Sequence, residues 1–208
     1  MSKTKIYPIV KRILDVIISA VALIVLLPVF VVIALVIRLD SKGSVFFLQK
    51  RAGRGDKTFR MVKFRTMRVD TPHDTATHLL KNADSYITRV GAFLRKTSLD
   101  ELPQLWNIIV GDMSLVGPRP ALWNQEDLLQ ARRRFSATDV RPGLTGWAQI
   151  NGRDELPIEQ KAQLDGEYVQ RMSFCFDLRC ILGTISAVIH RRGVVEGGTG
   201  AMQEKENR

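Results

Sequence analysis

The sequence predicts an α+β fold that is mostly helical, in which a re-entrant or spanning membrane helix precedes a small globular domain with a β-hairpin and amphipathic interfacial helices. An uncharged run at 16–37 is long enough to cross a bilayer as a helix. Two strand-like segments at 44–50 and 57–67 flank a turn with two glycines. Several later segments repeat apolar residues at the spacing of an α-helix.

These patterns divide the chain into three parts. Residues 1–40 are predicted to form the membrane helix, 41–195 the globular domain and 196–208 a flexible polar tail. At 208 residues the chain is long enough for one domain with a substantial core, and we expect no large second domain.

Basic residues outnumber acidic ones, and this imbalance predicts anionic partners. There are 31 Lys and Arg against 21 Asp and Glu, which gives a formal net charge of +10. Phosphate-bearing substrates, acidic lipid headgroups and nucleic acid all fit that charge, which does not choose among them. Cys175 and Cys180 are spaced to lie on different helix faces, so we expect no disulfide and a reducing cytoplasmic setting. The three scattered histidines indicate no zinc site.

The membrane helix contains Pro28 near its middle, where the missing amide proton leaves the carbonyl of Ile24 without its helical partner. This is a site for a kink or a break. Basic residues flank the apolar run on both sides, and the positive-inside rule therefore draws both ends to the cytoplasm. The residues alone leave two arrangements open: a straight span with a tolerated proline, or a helix that bends at Pro28, enters one leaflet and returns.

The segments 44–50 and 57–67 are rich in β-branched and aromatic residues and predict a hairpin. Strand alternation places Lys63 and Arg65 on one face, where they could point together at an anion. A solvated edge strand is the other interpretation. The polar segment 69–84 predicts a surface loop, and 85–96 a helix with Tyr86, Val90 and 93–94 on its buried side.

The stretch 98–120 contains the residues best suited to catalysis or ligand binding. Apolar residues at helical spacing predict a short helix that ends at Gly111, with Pro103 in its first turn. Asp100 and Glu101 stand at its entrance, near the positive end of the helix dipole. Ser98 and Glu101 also match a capping box, so a purely structural role for Glu101 is the alternative.

Two arginines flank this acid pair in sequence. Arg119 lies between two prolines, which restrict the backbone and present the guanidinium from a stiff support suited to a phosphate, although such a turn can also be loop scaffolding. Arg95, five residues before Asp100, is either a helix-end cation or a second group for the same phosphate.

The remaining segments predict three helices and one structured loop. A helix after Pro120 runs to about Arg134, and its basic end at 132–134 predicts a solvated or headgroup-facing patch. The glycine-rich loop 139–153 projects donors from Gln149 and Arg153. Helices follow at 157–172 and 174–190, and the apolar stripe of the second predicts core packing in preference to a membrane-interface face.

Four ordered blocks, at 63–67, 94–105, 111–120 and 140–153, resemble the bacterial sugar transferase family. The resemblance covers the chain to about Gly193. It implies a re-entrant membrane helix, a cytoplasmic catalytic domain at 41–195 and a location in the bacterial cytoplasmic (inner) membrane. It also implies transfer of a sugar-1-phosphate from a nucleoside diphosphate sugar, most simply a uridine one, to a polyprenyl phosphate.

The resemblance further implies a role for each candidate residue. Asp100 is the expected nucleophile, which forms an aspartyl sugar-phosphate intermediate, and Glu101 either helps to hold Mg²⁺ or handles a proton, so that the pair Asp100 and Glu101 is the expected metal site. The other expected roles are phosphate binding by Lys63, Arg95 and Arg119, nucleotide binding by Gln149 and Arg153, and support of the acid pair by Asp177.

Two other classes of function compete with this one. A membrane-tethered nucleic-acid-binding protein would use the basic surface and would be indifferent to Asp100, but the chain has no helix-turn-helix or aromatic RNA-binding signature. A noncatalytic membrane scaffold has no need of the acid pair together with Arg119. We therefore expect an enzyme with no nucleic-acid partner, and a homo-oligomer is compatible with the sequence.

Overall fold

The structure, a computed structural model, describes residues 3–71, 83–152 and 156–189 and confirms a mostly helical α+β fold. The helices are α1 (Lys3–Asp40), α2 (Ala83–Tyr86), α3 (Arg89–Lys96), α4 (Gln104–Val110), α5 (Glu126–Arg133), α6 (Trp147–Ile150), α7 (Ile158–Arg171) and α8 (Phe174–Ile189). The strands are β1 (Phe46–Ala52), β2 (Thr58–Phe64), β3 (Ser114–Val116) and β4 (Gly143–Thr145). The predicted tail and most of the loop 69–84 lie outside the described residues.

Helix α1 contains the stretch Ile6–Asp40, which is long and apolar enough to cross a membrane. The helix continues through Pro28 without interruption, so a break at that residue is wrong and a kink remains the prediction. One side of α1 packs on the globular domain. There, Ile33 and Ile37 are buried with Phe64 and Leu94, while most of the remaining apolar side chains of the helix are exposed.

The amino-terminal part of α1 is bonded to the globular domain by charged groups. Lys11 Nζ lies 2.6 Å from Asp177 Oδ2, and both side chains are about nine-tenths buried. Asp15 accepts hydrogen bonds from the Ser114 hydroxyl at 2.7 Å and from the Leu115 amide at 3.2 Å. These buried bonds join the start of α1 to the same domain that its carboxyl-terminal half packs against.

The predicted hairpin is confirmed. Strands β1 and β2 are antiparallel, with Phe46 opposite Phe64. The prediction that Lys63 and Arg65 point together at an anion is wrong. Arg65 follows the end of β2, and its buried guanidinium donates to the carbonyls of Ser41 and Lys42, each at 2.7 Å. Lys63 is therefore the cation that this strand contributes to the site.

The short strands β3 and β4 form a parallel pair whose backbones approach closely because of three glycines. A Cβ on Gly143 would lie 2.1 Å from the Gly117 nitrogen, and a Cβ on Gly146 would lie 2.1 Å from the Gly117 oxygen. No side chain fits at either position. This contact places the segment that follows β3, including Arg119, beside the glycine-rich loop.

Two helical predictions differ from the structure. The predicted helix at 85–96 is two helices, because Ile87 forms a bridge with Met67 between α2 and α3, and Phe93 is exposed whereas Leu94 is buried. In α8 the predicted core packing is wrong for those residues of the apolar stripe that face away from the globular domain. The exposed residues of that stripe are Phe174, Leu178, Leu182 and Ile185.

The predicted basic patch at 132–134 is wrong for its first member. Arg132 is buried and forms an ion pair with Asp165, which is also buried. Arg133 and Arg134 are exposed, as predicted, although each pairs with carboxylates: Arg134 lies beside Glu159. Periodicity on α5 alone does not show that α7 covers the Arg132 side of this helix.

Candidate active site

The acid pair lies in a 3₁₀ turn, Leu99–Glu101, between α3 and α4. Pro103 directly precedes α4 with φ −62°, the value a proline ring imposes, and Gly111 ends the helix with φ 103°. Both helix boundaries were predicted. The capping box is wrong, because Ser98 has φ 57° and its side chain makes no capping bond, whereas a capping residue needs an extended backbone.

Asp100 is a buried carboxylate with unused hydrogen-bonding capacity. It is 8% exposed, and within the described ranges no hydrogen bond to its carboxylate is found. Burial raises the pKa of the Asp100 carboxyl group; the charge of Lys63 opposes this shift, Glu101 adds to it, and Arg95 and Arg119 oppose it. The lone pairs of this carboxylate are thus free, and three cations stand around it.

Glu101 is bound by two of those cations. Lys63 Nζ lies 3.3 Å from Glu101 Oε1, and the Arg119 guanidinium donates to both carboxylate oxygens, with Nη1 at 3.3 Å from Oε2. Burial lowers the pKa of the Lys63 ammonium, and the carboxylates of Glu101 and Asp100 counteract that effect. The site therefore joins β2, the 3₁₀ turn and the segment after β3.

Arg95 enters the site from the last turn of α3. Its Nε donates to the Thr66 hydroxyl at 2.9 Å, and its charge acts on Asp100. Thr66 was not predicted, although it follows Lys63 by three residues in the same sequence block. The structure thus brings Lys63, Arg95 and Arg119 to the acid pair, and their phosphate-binding roles remain predictions.

Asp177 is not part of this group, and the expectation that it approaches the acid pair is wrong. Its carboxylate accepts hydrogen bonds from Tyr7 at 2.7 Å, Lys11 at 2.6 Å and Tyr168 at 2.8 Å. Tyr7 and Lys11 are 170 and 166 residues away, so the spacing around Asp177 gave no signal of them, whereas Tyr168 is nine residues away. Its observed role is to hold α1, α7 and α8 together.

The two nucleotide-binding candidates are only partly described. The Gln149 side chain donates from Nε2 to the Leu144 carbonyl at 3.1 Å. Its buried Oε1 has no hydrogen-bond partner among the described residues. Arg153 lies outside the described residues.

The acid pair fits a metal ion that is shared with a ligand. Among the described residues, no cluster of three or more His, Cys, Asp or Glu side chains is placed to hold a metal alone. Mg²⁺ is commonly bound by one or two carboxylates together with substrate phosphates and water. Asp100 and Glu101 supply that carboxylate set, and the unbonded oxygens of Asp100 are the available ligands.

These features together define a class of protein: a membrane protein whose globular domain packs along a long apolar helix and holds a carboxylate pair among cations. Comparison with known families identifies the class more closely. The family described as bacterial sugar transferase matches residues 6–191, and the chain belongs to that family.

Curated relatives carry related names. The chain is 40% identical over 193 residues to the UDP-glucose:undecaprenyl-phosphate glucose-1-phosphate transferase of Xanthomonas campestris pv. campestris, with 89% of this chain and 40% of that protein aligned. It is 44% identical to the uncharacterized sugar transferase EpsL of Bacillus subtilis (strain 168), over 76% of this chain and 77% of that one. It is 38% identical to the exopolysaccharide production protein ExoY of Sinorhizobium fredii, over 88% and 87%. The chain spans about two fifths of the Xanthomonas protein.

Proposed function

We propose that this protein transfers a sugar-1-phosphate from a uridine diphosphate sugar to a polyprenyl phosphate such as undecaprenyl phosphate. This is the first membrane step of a bacterial glycan, such as an exopolysaccharide or O-antigen. The names of the relatives support the substrates and the reaction. The observation that carries the chemistry is the buried carboxylate of Asp100, which has no hydrogen bond from the described residues and lies among Lys63, Arg95 and Arg119.

Asp100 acts as the nucleophile in two balanced steps. One of its oxygens attacks the phosphorus that carries the sugar, the bond from this phosphorus to the bridging oxygen breaks, and uridine monophosphate leaves. A phosphate oxygen of the lipid then attacks the same phosphorus and releases the Asp100 carboxylate. The product is a polyprenyl diphosphate sugar. An intermediate of this kind replaces one difficult transfer between two anions by two easier ones.

The cations allow an anionic nucleophile to meet an anionic substrate. Arg119 and Lys63 are held on Glu101, so their donors surround the position of a phosphate bound beside Asp100. Preorganised cations in a poorly solvated site stabilise the charge that develops on phosphoryl oxygens without reorganising during the reaction. Bound Mg²⁺ would be held by Asp100 and Glu101 with the diphosphate, and would neutralise phosphate charge there.

The packing of α1 supports a re-entrant arrangement. From Tyr7 to Ile37 a straight helix would extend about 45 Å, more than the ~30 Å hydrocarbon core of a bilayer. Yet Tyr7 and Ile37 both contact the globular domain. A helix that bends at Pro28 keeps both ends on the cytoplasmic face of the inner membrane, where the lipid phosphate is accessible. The glycine-rich loop with Gln149 and Arg153 would then receive the nucleotide from the cytoplasm.

The proposed reaction can be tested with a radioactive phosphate label, by measuring which product carries it. Purified protein is incubated with Mg²⁺ and a panel of UDP-sugars labelled on either the α- or the β-phosphate, first without lipid. We expect β-label on the protein and α-label in released uridine monophosphate. Addition of undecaprenyl phosphate should move the β-label to lipid.

Each alternative gives a different distribution of label. Transfer of the sugar alone would leave both phosphates in UDP and would contradict the proposal. Transfer of β-label to lipid without any label on the protein under rapid quenching would contradict the covalent step. Binding of DNA or RNA that is unaffected by substitution of Asp100, together with no release of uridine monophosphate, would favour the nucleic-acid-binding alternative.

A further inference from the structure

The segment 118–121 is held by an unbroken series of hydrogen bonds to its carbonyl oxygens. The four bonds are Gly143 N to Pro118 O at 2.9 Å, Arg132 Nη1 to Arg119 O at 2.9 Å, Arg51 Nη1 to Pro120 O at 3.0 Å, and Ala52 N to Ala121 O at 3.0 Å. The donors come from the hairpin, from α5 and from the glycine-rich loop. Each peptide plane on either side of Arg119 is thereby fixed.

The donor to the Arg119 carbonyl, Arg132, belongs to a buried ion pair. Arg132 Nε lies 2.8 Å and Nη2 lies 2.7 Å from Asp165 Oδ2, and the two side chains are 5% and 1% exposed. Burial of such a pair has a large desolvation cost, and well-packed apolar residues often replace it without loss of stability. A contribution to stability therefore does not explain the ion pair well. The third hydrogen bond of Arg132, to the Arg119 carbonyl, indicates a role in holding the backbone at Arg119.

We propose that Arg132, oriented by Asp165, is a positioning residue for Arg119. Pro118 and Pro120 fix φ on both sides of Arg119 but donate no hydrogen bonds of their own. The rotation of the Arg119–Pro120 peptide plane is then set by the group that binds its carbonyl. The bond from Arg132 holds the guanidinium of Arg119 on Glu101, in the site where the sugar-side phosphate binds. This inference rests on the proposed function, which assigns a phosphate to Arg119.

A double-mutant cycle tests this coupling. In Arg132→Lys the positive charge beside Asp165 is retained, but a lysine cannot both make the paired contacts with Asp165 and reach the carbonyl with a planar fork. We expect kcat/KM for release of uridine monophosphate to fall about tenfold, because a displaced binding group costs this much or more. In an Arg119→Ala background the same substitution should have almost no further effect.

Two further variants separate positioning from folding. Arg132→Met combined with Asp165→Leu removes the ion pair and leaves no buried charge, so we expect near-normal thermal stability with kcat/KM still reduced. Tyr168→Phe is the matched control. It deletes a buried hydroxyl that lies 2.8 Å from Asp177 Oδ1 and 3.0 Å from the Val116 carbonyl, on the strand before Arg119, and should lower stability with kcat/KM unchanged.

The outcomes are distinguishable from failure of the proposed function. If the unsubstituted protein releases no uridine monophosphate from any UDP-sugar, the proposed function fails before the cycle begins. If the unsubstituted protein does release uridine monophosphate, but Arg132→Lys lowers kcat/KM by the same factor with Arg119 present and in the Arg119→Ala background, the positioning role is refuted. Full activity of the apolar double variant would refute it independently.

Discussion

Two buried aspartates of this protein have almost the same exposure and opposite surroundings. Asp100 is 8% and Asp177 is 7% exposed. Asp177 accepts three hydrogen bonds, from Tyr7, Lys11 and Tyr168, whereas no hydrogen bond to the Asp100 carboxylate is found within the described ranges. Burial with full hydrogen bonding makes Asp177 a structural group, and burial without it leaves Asp100 available for a ligand.

Burial and nearby charge do not alone identify a reactive carboxylate. Both aspartates have cations close by, Lys11 in one case and Lys63 in the other. The distinguishing property is whether the lone pairs of the carboxylate are already used. A nucleophile must leave one free.

The largest expected effect comes from Asp100→Asn, which should lower turnover at least about 1,000-fold, because an amide cannot replace the nucleophile. The folded state should not lose stability. Burial raises the pKa of Asp100, so the stabilisation associated with this group is present below its unfolded pKa and lost as the pH rises through its folded pKa. At pH 7 the neutral asparagine should therefore raise Tm.

Release of uridine monophosphate and differential scanning calorimetry at pH 7 measure these two effects. Asp70→Asn, at an exposed carboxylate paired with Arg68, is the matched control and should change neither. A lower Tm in Asp100→Asn would show that the Asp100 carboxylate stabilises the fold, as the Asp177 carboxylate does.

Arg119→Met should have the next largest effect on activity, a loss of about 100-fold in kcat/KM, because a cation that stabilises phosphoryl charge is removed. The methionine keeps much of the aliphatic volume of the side chain. Steady-state kinetics with the UDP-sugar measure the loss. An unchanged kcat/KM would mean that Arg119 serves only to neutralise Glu101.

Asp177→Asn should act on stability and little on chemistry. It removes the shorter of the two ion pairs of buried Lys11, at 2.6 Å, and leaves only the contact with Asp15 at 3.8 Å, so we expect a cost of up to about 3 kcal/mol in the free energy of unfolding. Urea unfolding in detergent measures this cost, and kcat/KM measured well below Tm should stay within about threefold of normal. A loss of turnover as large as that of Asp100→Asn, in folded protein, would instead place Asp177 in the reaction.

The smallest expected effect is a displacement of the pH profile. In the proposed reaction turnover needs ionised Asp100, whose pKa is raised by burial, so the acid limb of kcat/KM should lie above the ordinary aspartate pKa of about 3.9. Lys63→Met removes the largest opposing charge and should move that limb to higher pH. Lys57→Met, at the exposed start of β2, should not move it. If the acid limb of kcat/KM stays at the same pH in Lys63→Met, a group other than Asp100 limits the rate in acid.

The acid pair and its cations were predictable from the four sequence blocks that resemble the bacterial sugar transferase family, whereas spacing alone also fits a helix cap for Glu101 and loop scaffolding for Arg119. The structure brings Lys63, Arg95 and Arg119 to the acid pair, and the hairpin was predicted from its β-branched and aromatic residues. Asp177 was misassigned because its partner Lys11 is 166 residues away, and no local pattern reports such a contact. The exposed stripe of α8 was misassigned because periodicity defines a face but not what covers it.

The bond between Lys11 and Asp177 can form only after α8 has been synthesised. Lys11 on helix α1 is synthesised before the globular domain, and Asp177 on α8 is made 166 residues later. At roughly 5–20 residues per second, this interval lasts about ten to thirty seconds. The apolar helix must therefore enter the lipid, or be kept from aggregation, well before the contact that fastens it to the finished domain exists.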